Sequence, residues 1–443
     1  MPISWWWKQV CYMGNNKVSP WLAILLVILF NITTTAPVLA DALTLDDYYA
    51  AALQRSESTA IQLEQVRQAE ERYRQANSAF LPTVNGVASY TWQDPLPPGS
   101  PLTPSSLNEQ PLSRIIISQP LFRGMREYAA LRQNRDLLTA QEQDYRHAKV
   151  MLYKDVVQNF YTILALQSDI ANYSEEIRLN QERETDIRAR VRIGRSSDSE
   201  LLNLQSTIST LQATIEQLRG QLQVAREALA FLSGLDAATP LQDTTLLPDK
   251  LEPLQTYLDR IQDRPDVHSA QQRLVAAFEG MAIARGEHLP TLDLNANYYL
   301  ERPGYLNDSK WDLQLALTIP LYAGGSIQSK VREASSIRNQ AELNQTLVLR
   351  QAEQEVRSLY LSFNLTLTQL QALQNATAAA KKSYQAQLRD YRLGLVSNLD
   401  VIQALTNYQQ NQRTLDSANF SARSNYLQLL ASVLRLPVMT TTP

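Results

Sequence analysis

The sequence repeats itself, and the repeat limits what it can fold into. Arg192 to Leu202 reads R-I-G-R-S-S-D-S-E-L-L, and Arg392 to Val401 reads R-L-G-L-V-S-N-L-D-V. In both, a glycine precedes a serine by three residues, and an acid follows: Gly194, Ser197 and Glu200, then Gly394, Ser397 and Asp400. Such a glycine can take the left-handed conformation that ends a helix. The serine can cap a new helix, with the acid in its first turn. Phe80-Leu81-Pro82-Thr83-Val84 recurs as His288-Leu289-Pro290-Thr291-Leu292. Pro120-Leu121-Phe122-Arg123-Gly124 recurs as Pro320-Leu321-Tyr322-Ala323-Gly324. Each half therefore reads helix, strand, strand, long helix, sharp hairpin, helix.

The long helices are the runs Arg126–Arg192 and Ser326–Arg392, which contain neither glycine nor proline. At 1.5 Å per residue each extends roughly 100 Å. Tyr145, Ala148, Leu152, Val156, Phe160 and Ile163 step by three and four along the first, a coiled-coil-like seam. Ile337, Ala341, Val348, Ala352, Val356, Leu359 and Phe363 do so along the second. The shorter helical patterns are Leu43–Phe80, Ser199–Leu232, Leu254–His288 with a restart at Arg264-Pro265-Asp266, and Ser397–Leu436. Placed end to end, the short helices of each half match the length of its long helix.

Between them the period changes to two. Val84, Ala88, Tyr90 and Trp92 share one face of Thr83–Trp92, and Ile115, Ile117 and Leu121 one face of Leu112–Leu121. Leu292, Leu294, Ala296, Tyr298 and Leu300 alternate with Asp293, Asn295 and Asn297; Trp311, Leu313, Leu315, Leu317 and Ile319 alternate with Asp312, Gln314 and Thr318. Strands of about ten residues cross a bilayer when tilted, and this alternation suits lipid outside and water inside. Helices ~100 Å long leaving one end of such a sheet offer little cover for its apolar face. Tyr90, Trp92, Tyr298, Tyr299 and Trp311 lie near the strand-joining loops, where an aromatic girdle belongs. Four strands cannot close a barrel, and an open edge in lipid is not tolerated. The chain must therefore oligomerise. Two copies would supply eight strands and three would supply twelve.

The N-terminus reads as a cleaved signal peptide, residues 1–40: Lys8 and Lys17, the apolar core Trp21–Phe30, and Val38-Leu39-Ala40 before the cut. Its removal takes Cys11, the only cysteine, and with it all disulfide and thiol chemistry. The first repeat is 41–236, a linker with Pro240, Pro248 and Pro253 spans 237–253, the second repeat is 254–436, and 437–443 is a tail. A net charge of −3 argues against nucleic acid as a partner. His147, His268 and His288 are scattered without metal spacing and read as solvated surface residues; there is no P-loop or nucleophile motif. The sequence gives no support for an enzyme, a metal site or a cofactor.

In the order and spacing of these motifs the chain resembles the TolC-type outer-membrane efflux proteins, the outer membrane factors, over nearly all of Ala42 to Leu436. The resemblance implies an α+β membrane protein: an internally duplicated, long antiparallel α-helical barrel in the periplasm, with four transmembrane β-strands per chain in a 12-stranded barrel shared by a homotrimer. It implies a passive exit duct for tripartite efflux or type I secretion, worked by a periplasmic adaptor and an inner-membrane pump of RND or ABC type. The glycine tips would dock the adaptor, which puts Arg192, Gly194, Ser197, Arg392, Gly394, Leu395 and Ser397 at the contact. Members close the entrance with a polar network and an acidic ring. Asp400 matches one ring carboxylate, Tyr391 matches a lock tyrosine, and Glu200 holds the matching position in the first repeat. Gln403 stands where a second ring acid is expected, and Val396 where an arginine is. The competing reading is a secreted or envelope-associated coiled-coil interaction protein without a pore.

Overall fold

A computed structural model describes residues 42–94, 109–304 and 306–435. The expected signal peptide and tail, most of the first strand-joining loop and Leu436 lie outside the described residues. The elements are α1 (Leu45–Arg55), α2 (Glu57–Ser78), β1 (Thr83–Trp92), β2 (Glu109–Arg123), α3 (Arg126–Arg192), α4 (Asp198–Ser233), α5 (Leu254–Leu258), α6 (Pro265–Gly286), β3 (Thr291–Glu301), β4 (Trp311–Thr318), α7 (Ser326–Arg392) and α8 (Asn398–Ser432), with a 3₁₀ turn at Ile261–Asp263. The two long helices, α3 and α7, have 67 residues each.

The expected helix Leu43–Phe80 is in fact two. Ser56 is extended; its N–H closes α1 on the Ala52 carbonyl, and its hydroxyl accepts from Thr59 N–H to open α2. A serine can serve both ends because its backbone and side chain bond independently. In the second half Pro265, which lacks an N–H, sits at the first position of α6, where none is needed.

The strands form one antiparallel sheet in the order β1-β2-β3-β4. β2 begins at Glu109, earlier than the expected Leu112, because Pro111 pairs with Tyr90 and Gln110 with Thr91. It bulges at Leu121, between the pairs Pro120–Asp293 and Phe122–Leu292. β4 stops at Thr318, short of the expected Leu321, since Pro320 cannot donate to a ladder. Leu294 faces Leu315 and Leu292 faces Leu317, so the apolar positions form continuous rows. Leu315 and Leu317 are each 61% exposed.

Each strand-to-helix corner takes two successive left-handed residues, Gly124-Met125 and Gly324-Gly325. At Gly124 a Cβ would stand 2.3 Å from the Gly286 carbonyl oxygen, so only glycine fits the approach of β2 to the end of α6.

Around the strand-proximal halves of the long helices the helices lie in the order α2, α3, α6, α7; around the far halves the order is α4, α3, α8, α7. The main core sits where the halves meet: Tyr48, Tyr49 and Ala52 of α1 against Tyr153, Val156, Phe160 and Ile163 of α3, with Leu229 and Leu427. Tyr49 and Tyr153 pack edge to face at 5.0 Å, and burial pushes the Tyr49 phenol up to about 12. At the matching place in the second half, Tyr257 and Ile261 pack on Ala352 and Val356.

Beside that second core lies an ionic cluster. Arg264 donates to Glu355 and Asp266, each at 2.8 Å, and to the Ser432 carbonyl at 3.3 Å; Lys154 pairs with Glu355 from α3. His147 is half-buried in the field of this cluster rather than solvated as expected, and His268 is also half-buried. His288 is exposed. Of the expected seam, Phe363, Val356 and Ala352 are buried, but Ile337 is 51% exposed.

Candidate functional site at the helical tips

The sheet-distal ends of α3 and α7 turn through the same motif. Gly194 (φ +69°) and Gly394 (φ +78°) are left-handed. Arg195 N–H reaches back to the Arg190 carbonyl and Leu395 N–H to the Asp390 carbonyl, both at 2.9 Å. This six-to-one closure consumes carbonyls that the helix end leaves open. Ser197 then accepts from Glu200 N–H, and Ser397 from Asp400 N–H. Asp400 returns the bond, accepting from Ser397 N–H at 2.9 Å and from its hydroxyl at 2.6 Å. These bonds hold the Asp400 carboxyl below its usual range. Glu200 accepts instead from Ser196 Oγ.

Arg192, Gly194, Ser197, Arg392, Gly394, Leu395 and Ser397 are all exposed on the turns. Beside them stand Ile193, Leu393 and Leu399, the two leucines 73% and 71% exposed. Sequence reasoning passed over these three, although paired apolar residues flanking a capping glycine were there to be read. Gln403 is exposed and lies one turn beyond Asp400 on α8.

Tyr391 is different: it is buried, 7% exposed. Two guanidinium groups of α3 face its ring, Arg190 at 4.5 Å and Arg183 at 5.1 Å from the ring centre. Arg183 is itself buried and donates to Asn398 Oδ1 at 2.8 Å. Burial raises the Tyr391 phenol and lowers the Arg183 guanidinium. No carboxylate lies within ion-pair distance of Arg183 among the described residues, although Asp186 acts on it at longer range. One side-chain knot thus ties α3 of the first half to the α7–α8 turn of the second. Arg183, Arg190 and Asn398 were not foreseen. The one available signal was the seven-residue spacing of the arginines, which puts them on one helix face.

No group of His, Cys, Asp and Glu among the described residues could hold a metal ion. No described helix is long and apolar enough to cross a membrane.

Comparison with known proteins gives one answer throughout. The outer membrane efflux protein family matches residues 48–235 and 258–433. The cation efflux system protein CusC of Escherichia coli strain K12 is 23% identical over 377 residues, covering 83% of this chain and 81% of that one. The outer membrane protein TolC of the same strain is 22% identical over 383 residues, covering 82% and 76%. Among solved structures, the outer membrane protein VceC from Vibrio cholerae superposes with a TM-score of 0.79 at 20% identity, covering 88% of this chain and 95% of that one. A crystal structure of CusC gives 0.78 at 20% identity, covering 88% and 91%.

Proposed function

This chain belongs to the outer membrane efflux protein family, and from that premise we propose that three copies close a common pore. It is an outer-membrane efflux channel with a periplasmic helical extension, in a family of channels rather than enzymes.

The observation that carries the proposal is the sheet: four strands, an apolar outer face, and the unpaired edges of β1 and β4. Open edges in lipid leave backbone groups without partners, so the edges must meet those of other copies. Twelve strands from three chains complete the wall. Two further features support ring closure. At the outer edges of the far helical layer, Val224 and Phe231 of α4 and Leu361 and Leu365 of α7 are exposed. They lie at one height, the level where Phe160 and Leu229 share the main core and Phe363 meets Tyr426 at a tilt, 5.3 Å between ring centres. In the sheet-proximal layer, toward the central core, Ile61 of α2 and Leu343 and Leu347 of α7 are exposed in the same way. Each pair of edges can cover the other in a neighbouring copy.

The pore then runs along the helices, inside the ring. A cleft of about 720 Å³ is lined from four helices, by Gln65 and Gln68 of α2, Asn134 and Gln141 of α3, Arg273 of α6 and Gln340 of α7. The two structural repeats, 41–236 and 254–436, supply alternate parts of this wall.

The tips are the periplasmic entrance. Tyr391, held by Arg183 and Arg190, keeps the second hairpin against the first. Asp400 and Glu200 place carboxylates near the mouth, with neutral Gln403 beside Asp400. A periplasmic adaptor docks on the exposed turns, with Arg192, Gly194, Ser197, Arg392, Gly394, Leu395 and Ser397 at the contact beside the apolar Leu393 and Leu399. An inner-membrane pump, of RND or ABC type, supplies cargo and energy. The partner lipid is that of the outer membrane.

The protein should fractionate with outer membrane, run as an SDS-resistant oligomer until heated, and conduct in planar bilayers. A water-soluble monomer without conductance would overturn the proposal.

A further inference from the structure

We infer that Glu176 and Arg413 are a positioning pair that sets how far the seam between α3 and α8 parts when the tips open. The inference rests on the reading of the tips as a gate.

The seam changes character along its length. Near the sheet-proximal end of α8, Leu427 and Ala431 pack into the apolar core with Val156 and Phe160. At that same level Gln428 bonds Gln158 at 3.1 Å; farther down the links are polar, Ser168 and Asn172 to Asp416 Oδ2 at 3.2 and 2.8 Å. Next comes Arg413 Nη1 to Glu176 Oε2 at 2.6 Å, and last Arg183 to Asn398 at the tip. Some apolar contact persists, as Ile402 rests on the Ile177–Ile187 cluster. Apolar surface resists separation because water gains nothing by wetting it, whereas polar links can be exchanged for bonds to water. The core end of the seam is therefore fixed and the tip end can part.

Two buried arginines bridge the seam, and their environments are opposite. Arg183 has an amide and an aromatic ring as partners and no paired carboxylate. Its bond to Asn398 has a neutral acceptor, so it holds the tip shut but is the weaker of the two links. Arg413 is paired with Glu176, which is 2% exposed, and its guanidinium also covers the Tyr173 ring at 4.1 Å. A bond with both partners charged is stronger than one with a neutral acceptor, which makes this link the costlier of the two to part. Asn398 and Arg413 stand about 22 Å apart along the helix at 1.5 Å per residue. Parting should run up from the tip by about that distance and stop at Arg413.

Planar-bilayer recordings of the assembled channel test this, with SDS resistance checked for every variant. Arg183→Ala should raise the closed-channel conductance. Adding Glu176→Gln should raise it further by about threefold or more, the coupling expected of linked sites. Glu176→Arg with Arg413→Glu in the Arg183→Ala background should return it to the single-variant level. Independently of how Glu176→Gln assembles, a disulfide from Ser168→Cys and Asp416→Cys, above the pair, should leave the Arg183→Ala conductance in place. The inference is overturned if Glu176→Gln adds nothing to Arg183→Ala, or if the upper disulfide closes the released channel. If Arg183→Ala conducts like the parent, the gate reading itself fails and this one falls with it.

Discussion

Single residues at the tips do two kinds of work, and only one kind was legible in the sequence. Ser197, Ser397, Gly194 and Gly394 act on backbone within a few positions of themselves, so their roles could be read from spacing. The knot of Arg183, Tyr391 and Asn398 joins residues up to 215 positions apart, and no local pattern announces it. Gly394 gives the sharpest residue-level prediction. Its φ of +78° is closed to proline, and its N–H bonds the Tyr391 carbonyl at 3.0 Å. Gly394→Pro should abolish export while SDS-resistant oligomers persist; efflux at the parent rate would contradict the docking role of the tip. His147 gives a pH prediction. Burial, the largest cause, lowers its pKa from the ordinary 6.5, with Arg264 and Lys154 acting the same way and Asp266 and Glu355 against. The unfolded chain therefore binds the proton more readily than the folded one, so stability is lost as pH falls through the histidine range. Melting temperature should drop between about pH 7.5 and pH 5.5, and His147→Gln should flatten that slope. Equal slopes in the two proteins would remove His147 from the account.

Elements were legible where composition is uniform and obscured where one residue serves two ends. Arg126–Arg192 and Ser326–Arg392 were readable to the residue because glycines bound them and neither glycine nor proline interrupts them. The break at Ser56 was hidden because serine is tolerated inside helices and the apolar pattern runs on across it. β2 was read short because Pro111 looks like a loop residue, yet a proline can pair by its carbonyl and side. The strands carry the prediction at this scale. Leu315 and its partner Leu294 sit mid-strand on the apolar face. Leu315→Arg would place a charge in hydrocarbon at a cost of about 2–4 kcal/mol per copy. The SDS-resistant oligomer should then dissociate at lower temperature on gels, whereas Gln314→Arg, on the opposite face, should leave it near the parent value. The same loss for both would mean that neither face meets lipid.

At the scale of the whole molecule the duplication explains most of the architecture. One unit of helix, hairpin of strands, long helix and helical hairpin is laid down twice, and the halves share a core at the middle of the long helices. The halves are not chemically alike there: the first is fastened by Tyr48, Tyr49 and Phe160, the second partly by Arg264, Asp266 and Glu355. The repeat could be seen in the sequence, but this division of labour depends on contacts between halves. The number of copies was open from strand counting alone, since eight and twelve strands both close a barrel. The proposal of three copies rests on the resemblance to the TolC-type proteins, not on the strand count. Native mass spectrometry of the unheated, detergent-extracted protein tests the central claim most directly. The account predicts an assembly of three chains and no folded monomer; a stable single chain, or a pair, would contradict it.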